Sequence, residues 1–114
     1  MSIFYKRVWL SYDLGIGGDY ESLYSFLDSH DALECGNSVA TFQFPIDKDD
    51  DSLLFSTITS DLTKYITPDK RTRIYLIRRV HTDSGDRIKG SFIFGGRKAS
   101  PWEGASMKKS EDDE

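Results

Sequence analysis

Apolar residues alternate with polar ones along some stretches of this chain and recur every three to four positions along others. The order of the two patterns lays out a small α/β domain. In Val8-Trp9-Leu10-Ser11-Tyr12-Asp13, Val8, Leu10 and Tyr12 share one face of a strand while Trp9, Ser11 and Asp13 share the other, because successive strand side chains point in opposite directions. From Asp19 to Ser29 the period lengthens: Tyr20, Leu23, Tyr24, Phe26 and Leu27 form a helical stripe, read as core packing, with Asp19 suited to the first turn or cap. Beyond Gly36-Asn37, Ser38 to Phe44 reads as a strand with Ala40, Phe42 and Phe44 inward, ended by Pro45. A helix from about Ser52 to Tyr65 follows, spaced by Leu54, Ile58, Leu62 and Tyr65; Thr57 and Thr59 lower its propensity, so packing has to supply much of its stability. Thr72 to Val80 is the clearest central strand, and Asp83-Ser84-Gly85-Asp86 turns it into a hairpin with Arg87 to Phe94.

A β-α-β-β-α-β order needs one more strand after the first helix. Ala32-Leu33-Glu34-Cys35, turned by Gly36-Asn37 into the next strand, supplies it. The expected fold is therefore an α/β (α+β) sandwich of the ferredoxin-like, split βαβ type, an antiparallel sheet with two helices on one face. It spans residues 1–94, and residues 95–114 form a C-terminal extension with an acidic tail. The face without helices is expected to carry Trp9, Val39, Tyr75, Ile77 and Ile93, more apolar surface than a small monomer usually leaves bare. A homodimer, joined sheet against sheet or by edge pairing, follows as an expectation.

Length changes this picture little, since 114 residues with 38% hydrophobic composition suit one domain with a modest core. Cys35, the single cysteine, excludes an intramolecular disulfide and a sulfur-rich metal site within one chain, and reads as a partly buried small residue. No apolar stretch approaches the roughly 20 residues that cross a bilayer, and Met1 is not followed by a signal-like segment, so a cytoplasmic protein without membrane contact is expected.

Charge distribution matters more than its sum. The runs Asp47–Asp51 and Ser110–Glu114 carry much of the formal net charge of −4, whereas Asp69 to Lys98 holds nine basic residues against three acids. Arg71, Arg73, Arg78 and Arg79 flank the apolar centre of the clearest strand, and Arg97 and Lys98 follow its hairpin partner; these are the candidate contacts to phosphates of RNA or DNA, with no base being read. Clustered arginines also solubilise sheet edges or pair with acids on a protein partner.

Candidate chemistry centres on Asp13, at the carboxyl end of the first strand, where Gly15-Ile16-Gly17-Gly18 begins. One carboxylate cannot fix an octahedral magnesium ion, but a symmetric dimer brings a second Asp13 across its axis, and an ion held there would activate phosphodiester hydrolysis, with Asp19 a possible helper. The plainer alternative has Asp13 accepting hydrogen bonds from loop amides and Asp19 capping a helix. The glycine loop matches neither nucleotide-binding fingerprint and is explained by a tight turn, while His30 and His81 lack zinc-hydrolase spacing and His81 reads as a surface residue. Trp102 is expected to anchor the extension by packing on its own domain or a twofold partner.

Trp9-Leu10-Ser11-Tyr12-Asp13, an apolar strand ending in Tyr-Asp before an amphipathic helix, and Asn37-Ser38-Val39-Ala40-Thr41-Phe42 as second strand resemble the small CRISPR-associated Cas2-like proteins over residues 5–94. The resemblance implies a homodimer whose paired aspartates, Asp13 here, bind Mg2+ or Mn2+, with Ser38 at the polar second-strand position. It implies either a metal-dependent endonuclease or a non-catalytic scaffold that holds nucleic acid.

Overall fold

The computed structural model describes residues 3–107, so the acidic tail Ser110–Glu114 lies outside the described residues. In chain order the elements are β1 (Phe4–Asp13), α1 (Tyr20–Ser29), β2 (Leu33–Gly36), β3 (Val39–Ile46), α2 (Asp51–Leu62), β4 (Arg73–Thr82) and β5 (Gly85–Phe94). The strands form one five-stranded antiparallel sheet in the order β2-β3-β1-β4-β5. No helix among the described residues is long and apolar enough to cross a membrane.

Both helices begin on aspartate caps. The Asp19 carboxylate accepts from the Ser22 N–H at 3.1 Å, and Asp50 accepts from the Leu53 N–H at 3.2 Å, each satisfying a donor that the helix itself cannot. Only the end of the acidic run enters α2: Asp50 caps it, and Asp51 lies in the first turn where the helix dipole favours negative charge. The helix stops at Leu62, not Tyr65, because Thr63 takes the C-cap position. Tyr65 still packs edge-on against Phe26 at 5.6 Å.

The core lies between the helices and one face of the sheet. Val8, Leu10 and Tyr12 of β1, Ala40, Phe42 and Phe44 of β3, and Ile74 and Leu76 of β4 meet Leu23, Phe26 and Leu27 of α1 and Leu54, Ile58 and Leu62 of α2. Phe26 and Phe42 stand edge to face with ring centres 5.8 Å apart. Truncating a ring buried this way costs about 3–5 kcal/mol, since the lost transfer energy is compounded by a cavity.

Several expectations need correction. Pro45 does not end β3, which runs on to Ile46; β2 pairs no further than Thr41, so beyond it the outer edge of β3 has no partner and a residue without an N–H is tolerated. Ile93 belongs to the core side of the sheet. The tight turn at Asp83-Ser84 sets Tyr75 opposite Phe92, and a bulge at Ile93 then puts Phe94 opposite Ile74, so Ile93 and Phe94 both pack on the core. Cys35 is exposed because short β2 lies at the sheet edge, and Trp102 is 74% exposed instead of packing on its own domain.

Arg78 is the one fully buried cation among the described residues, at 2% exposure. Its Nε and Nη2 donate to the two carboxylate oxygens of Asp51, both at 2.8 Å, and Nη1 reaches the Ser91 hydroxyl at 3.0 Å. This fork ties the start of α2 to β4 and β5. The Arg78 hydrogen bonds hold the Asp51 carboxyl below the ordinary carboxylate range. A carboxylate depressed in the folded state stabilises the fold above its unfolded pKa, and that contribution drains away as pH falls toward the folded value. Asp51→Asn leaves Arg78 without its counter-charge and is expected to cost about 3 kcal/mol at neutral pH. The gap to wild type is expected to narrow below about pH 4, as the wild-type carboxyl takes up its proton. Urea unfolding from neutral pH down to about pH 3 measures both; a gap independent of pH would remove Asp51 as the source.

Candidate functional site

β1 delivers Asp13 to its exposed carboxyl end, opposite Arg73 of β4. One carboxylate oxygen accepts from the Gly15 N–H at 2.9 Å, closing a local turn into the loop before α1. The rest of that loop is fastened internally. The Leu14 N–H donates to the Tyr20 hydroxyl at 3.0 Å, and Arg71 Nη1 donates to the Ile16 carbonyl at 2.8 Å. Gly15 has φ +76°, and a Cβ at Gly18 would sit 2.5 Å from the Leu14 carbonyl oxygen, so the turn geometry accounts for both glycines.

Asp19 faces its own helix. The Ser22 hydroxyl and amide hold its carboxyl below the ordinary range, as expected of a cap. Among the described residues no three His, Cys, Asp or Glu side chains gather into a metal-binding group. Asp13 alone offers too few oxygens for Mg2+ or Mn2+, and one oxygen already serves Gly15, so the donors of one chain do not fit a divalent ion there.

The candidate cations are dispersed. Arg78 is buried on the core side and fully engaged with Asp51, and Arg71 fastens the glycine loop while reaching Asp69 at 3.4 Å. Arg73 and Arg79 stand on the opposite, open face of the sheet, because they alternate with Ile74, Leu76 and Arg78. Arg97 and Lys98 are exposed beyond β5, in a segment whose start is held by the bond from Arg73 Nε to the Gly96 carbonyl at 3.1 Å. Arg7 joins the open face as a residue the sequence reading did not single out. The available signal was its parity with Trp9, hidden because β1 begins at Phe4, four residues earlier than Val8.

The open face is arranged in rows across the sheet. Trp9 lies between Thr41 and Ile77, and the next row holds Val39, Ser11, Tyr75 and Phe92. Tyr75 and Phe92 meet edge to face at 4.8 Å, and the Arg73 guanidinium stands 5.6 Å from the Phe92 ring centre. Gly90 makes room for this pair, since a Cβ there would come within 2.2 Å of the Tyr75 hydroxyl. Beyond Trp9, a groove of about 270 Å³ is lined by Tyr5, Arg7, Trp9, Arg79, His81 and Ile88.

Several cations on the helix side are ion-paired. On the helix side, Lys6 meets Asp49 at 2.7 Å, Lys64 meets Asp61 at 3.9 Å, and Arg78 and Lys89 share Asp51 at 2.8 and 3.6 Å. Among the described residues, no carboxylate lies within 4.0 Å of the charged nitrogens of Arg7, Arg73 or Arg79. The two histidines belong to the scaffold. His30 stacks on Phe42 and bonds Asp61 at 2.8 Å, tying the end of α1 to α2, while exposed His81 bridges Asp49 and Asp86 at the hairpin.

Gly90→Ala is expected to turn the Tyr75 ring off β5 while changing stability by less than about 1 kcal/mol, because the methyl group meets only the far end of one side chain and relieves the glycine's entropy cost. Ring proton shifts of Tyr75 and Phe92, read beside a thermal melt, check this; unmoved ring shifts would contradict it. No model of a known protein family, no curated protein and no solved structure matches this chain.

Proposed function

We propose that this protein is a non-catalytic nucleic-acid-binding scaffold that contacts phosphates through the open face of its sheet. The observation that carries the reading is the gathering on one open face of three arginines, Arg7, Arg73 and Arg79, none with a carboxylate within 4.0 Å among the described residues. Guanidinium groups left unpaired by their own chain suit phosphate oxygens in charge and in fork geometry. Arg97 and Lys98 extend the same charge beyond β5.

The order β2-β3-β1-β4, with α1 between β1 and β2 and α2 between β3 and β4, supports reading the core as a ferredoxin-like split βαβ fold to which β5 adds an edge strand. The Cas2-like resemblance draws on the same arrangement and on Asp13 at the end of β1.

Binding of labelled RNA and DNA, followed by fluorescence anisotropy over a salt series, tests the reading. Affinity is expected to fall steeply with salt, and Arg73→Gln and Arg79→Gln are each expected to shallow the logarithmic slope by about 0.7–0.9. Lys64→Gln, on the helix side and paired with Asp61, is expected to leave the slope unchanged. No binding at low salt would turn the assignment toward a protein partner.

The exposure of Asp13 at a strand end supports a second reading, a Mg2+- or Mn2+-dependent endonuclease whose ion is shared by the Asp13 carboxylates of two copies. On that reading cleavage requires the metal, stops with EDTA and is abolished by Asp13→Asn. Equal cleavage by the variant and wild type would reject it.

A further inference from the structure

We infer that the ligand of the open face is a single-stranded nucleic acid whose bases stack on Trp9, Tyr75 and Phe92 while Arg7, Arg73 and Arg79 hold its phosphates. The inference rests on the nucleic-acid reading above and specifies the form of the ligand.

Three observations carry it. The aromatic residues lie on three neighbouring strands: Trp9 on β1, Tyr75 diagonally across on β4, and Phe92 beside Tyr75 on β5. Diagonal neighbours in an antiparallel sheet are about 7–8 Å apart, within one another's reach but separate enough to offer distinct ring faces. The cations bracket this row. Arg7 and Arg79 line the groove beyond Trp9, one residue past the Val8–Arg78 pair, and Arg73 stands at the other end beside Phe92. Finally, Gly90 leaves the space in which the Tyr75 ring lies along β5.

A duplex makes poor use of such a surface. Its bases are already stacked and present edges in a groove, whereas a broad sheet face offers ring planes. An unpaired strand exposes base faces and phosphates together, and aromatic platforms flanked by positive charge bind it with little regard to sequence. A second copy of this chain is the competing occupant, but twofold stacking would bring Arg7, Arg73 and Arg79 of both copies together, with Asp13 opposite Arg73 and Asp86 bound to His81 as the acids of that face. Charge complementarity therefore favours a polyanion.

The test uses the full chain with Trp102→Phe, which leaves Trp9 as the sole indole of the two in the sequence. Oligo(dT), oligo(U) and a mixed-sequence DNA duplex of equal length are titrated at one fixed salt concentration. Both single strands are expected to quench Trp9 fluorescence and to bind at least about tenfold more tightly than the duplex. Trp9→Ala and Phe92→Leu are expected to weaken single-strand binding by about 5- to 150-fold, and Trp9→Phe to retain most of it. Circular dichroism on each variant confirms the fold, and Trp9→Phe separates loss of stacking from loss of structure. Equal affinity for duplex and single strand with Trp9 fluorescence unmoved, while Arg73→Gln still weakens both, would overturn stacking and leave the phosphate reading standing. Failure of every nucleic acid to bind at low salt would overturn both. A dimer seen by sedimentation without nucleic acid, and lost in Trp9→Ala, would assign the face to a second copy and overturn the inference.

Discussion

A strand turns successive side chains to opposite faces, and on β4 that rule gives neighbouring arginines unlike surroundings. Arg78 points under the helices, where desolvation would be prohibitive without the two oxygens of Asp51, and so becomes part of the scaffold. Arg79, one residue on, points to the open face and meets no carboxylate of its own chain among the described residues. The same alternation on β1 sends Val8, Leu10 and Tyr12 into the core and Arg7 and Trp9 outward. Positioning of the outer surface therefore depends on the inner one: a one-residue slip of a strand would exchange their contents.

Stability and surface chemistry are consequently divided between the two faces. The helix side pairs its buried Arg78 with Asp51, caps its helices with Asp19 and Asp50, and closes on interlocked rings around Phe26. The open side holds half-buried rings and arginines that have no carboxylate within 4.0 Å among the described residues. The loop after Asp13 belongs to the first group, since Arg71, Tyr20 and the left-handed glycines fix it from within. A glycine-rich sequence next to a carboxylate is here a compact connection before a capped helix.

Much of this architecture was legible in the sequence because it follows from periodicity and punctuation. The stripe Leu23-Phe26-Leu27 and the alternation around Leu10 and Phe42 were enough to place helices, strands and core. Strand ends were less legible. Tyr5 and Arg7 extend β1 through pairing with β3, a long-range contact that local pattern does not contain, and Pro45 persists in β3 because its partner β2 is short. Alternation with Tyr75 and Ile77 already sends Arg78 inward and Arg79 outward, but nothing in the local pattern names Asp51, 27 residues away, as the buried partner. Trp102 and Cys35 show the limit of composition, since apolar character alone did not bring either into contact with the core.

The bulge at Ile93 also bears on solubility. β5 is an edge strand, and a long flat edge that alternates aromatic residues along one side is a template for adding strands from other molecules. Strict alternation would place Phe94 beside Phe92 on the outside; the extra residue turns it inward and breaks the regular hydrogen-bond spacing at that end. With Arg87 and Lys89 nearer the hairpin tip, the edge is interrupted by geometry at one end and by charge at the other. A single irregular residue thus breaks the regularity of the edge while ending the half-buried aromatic row of the open face at Phe92.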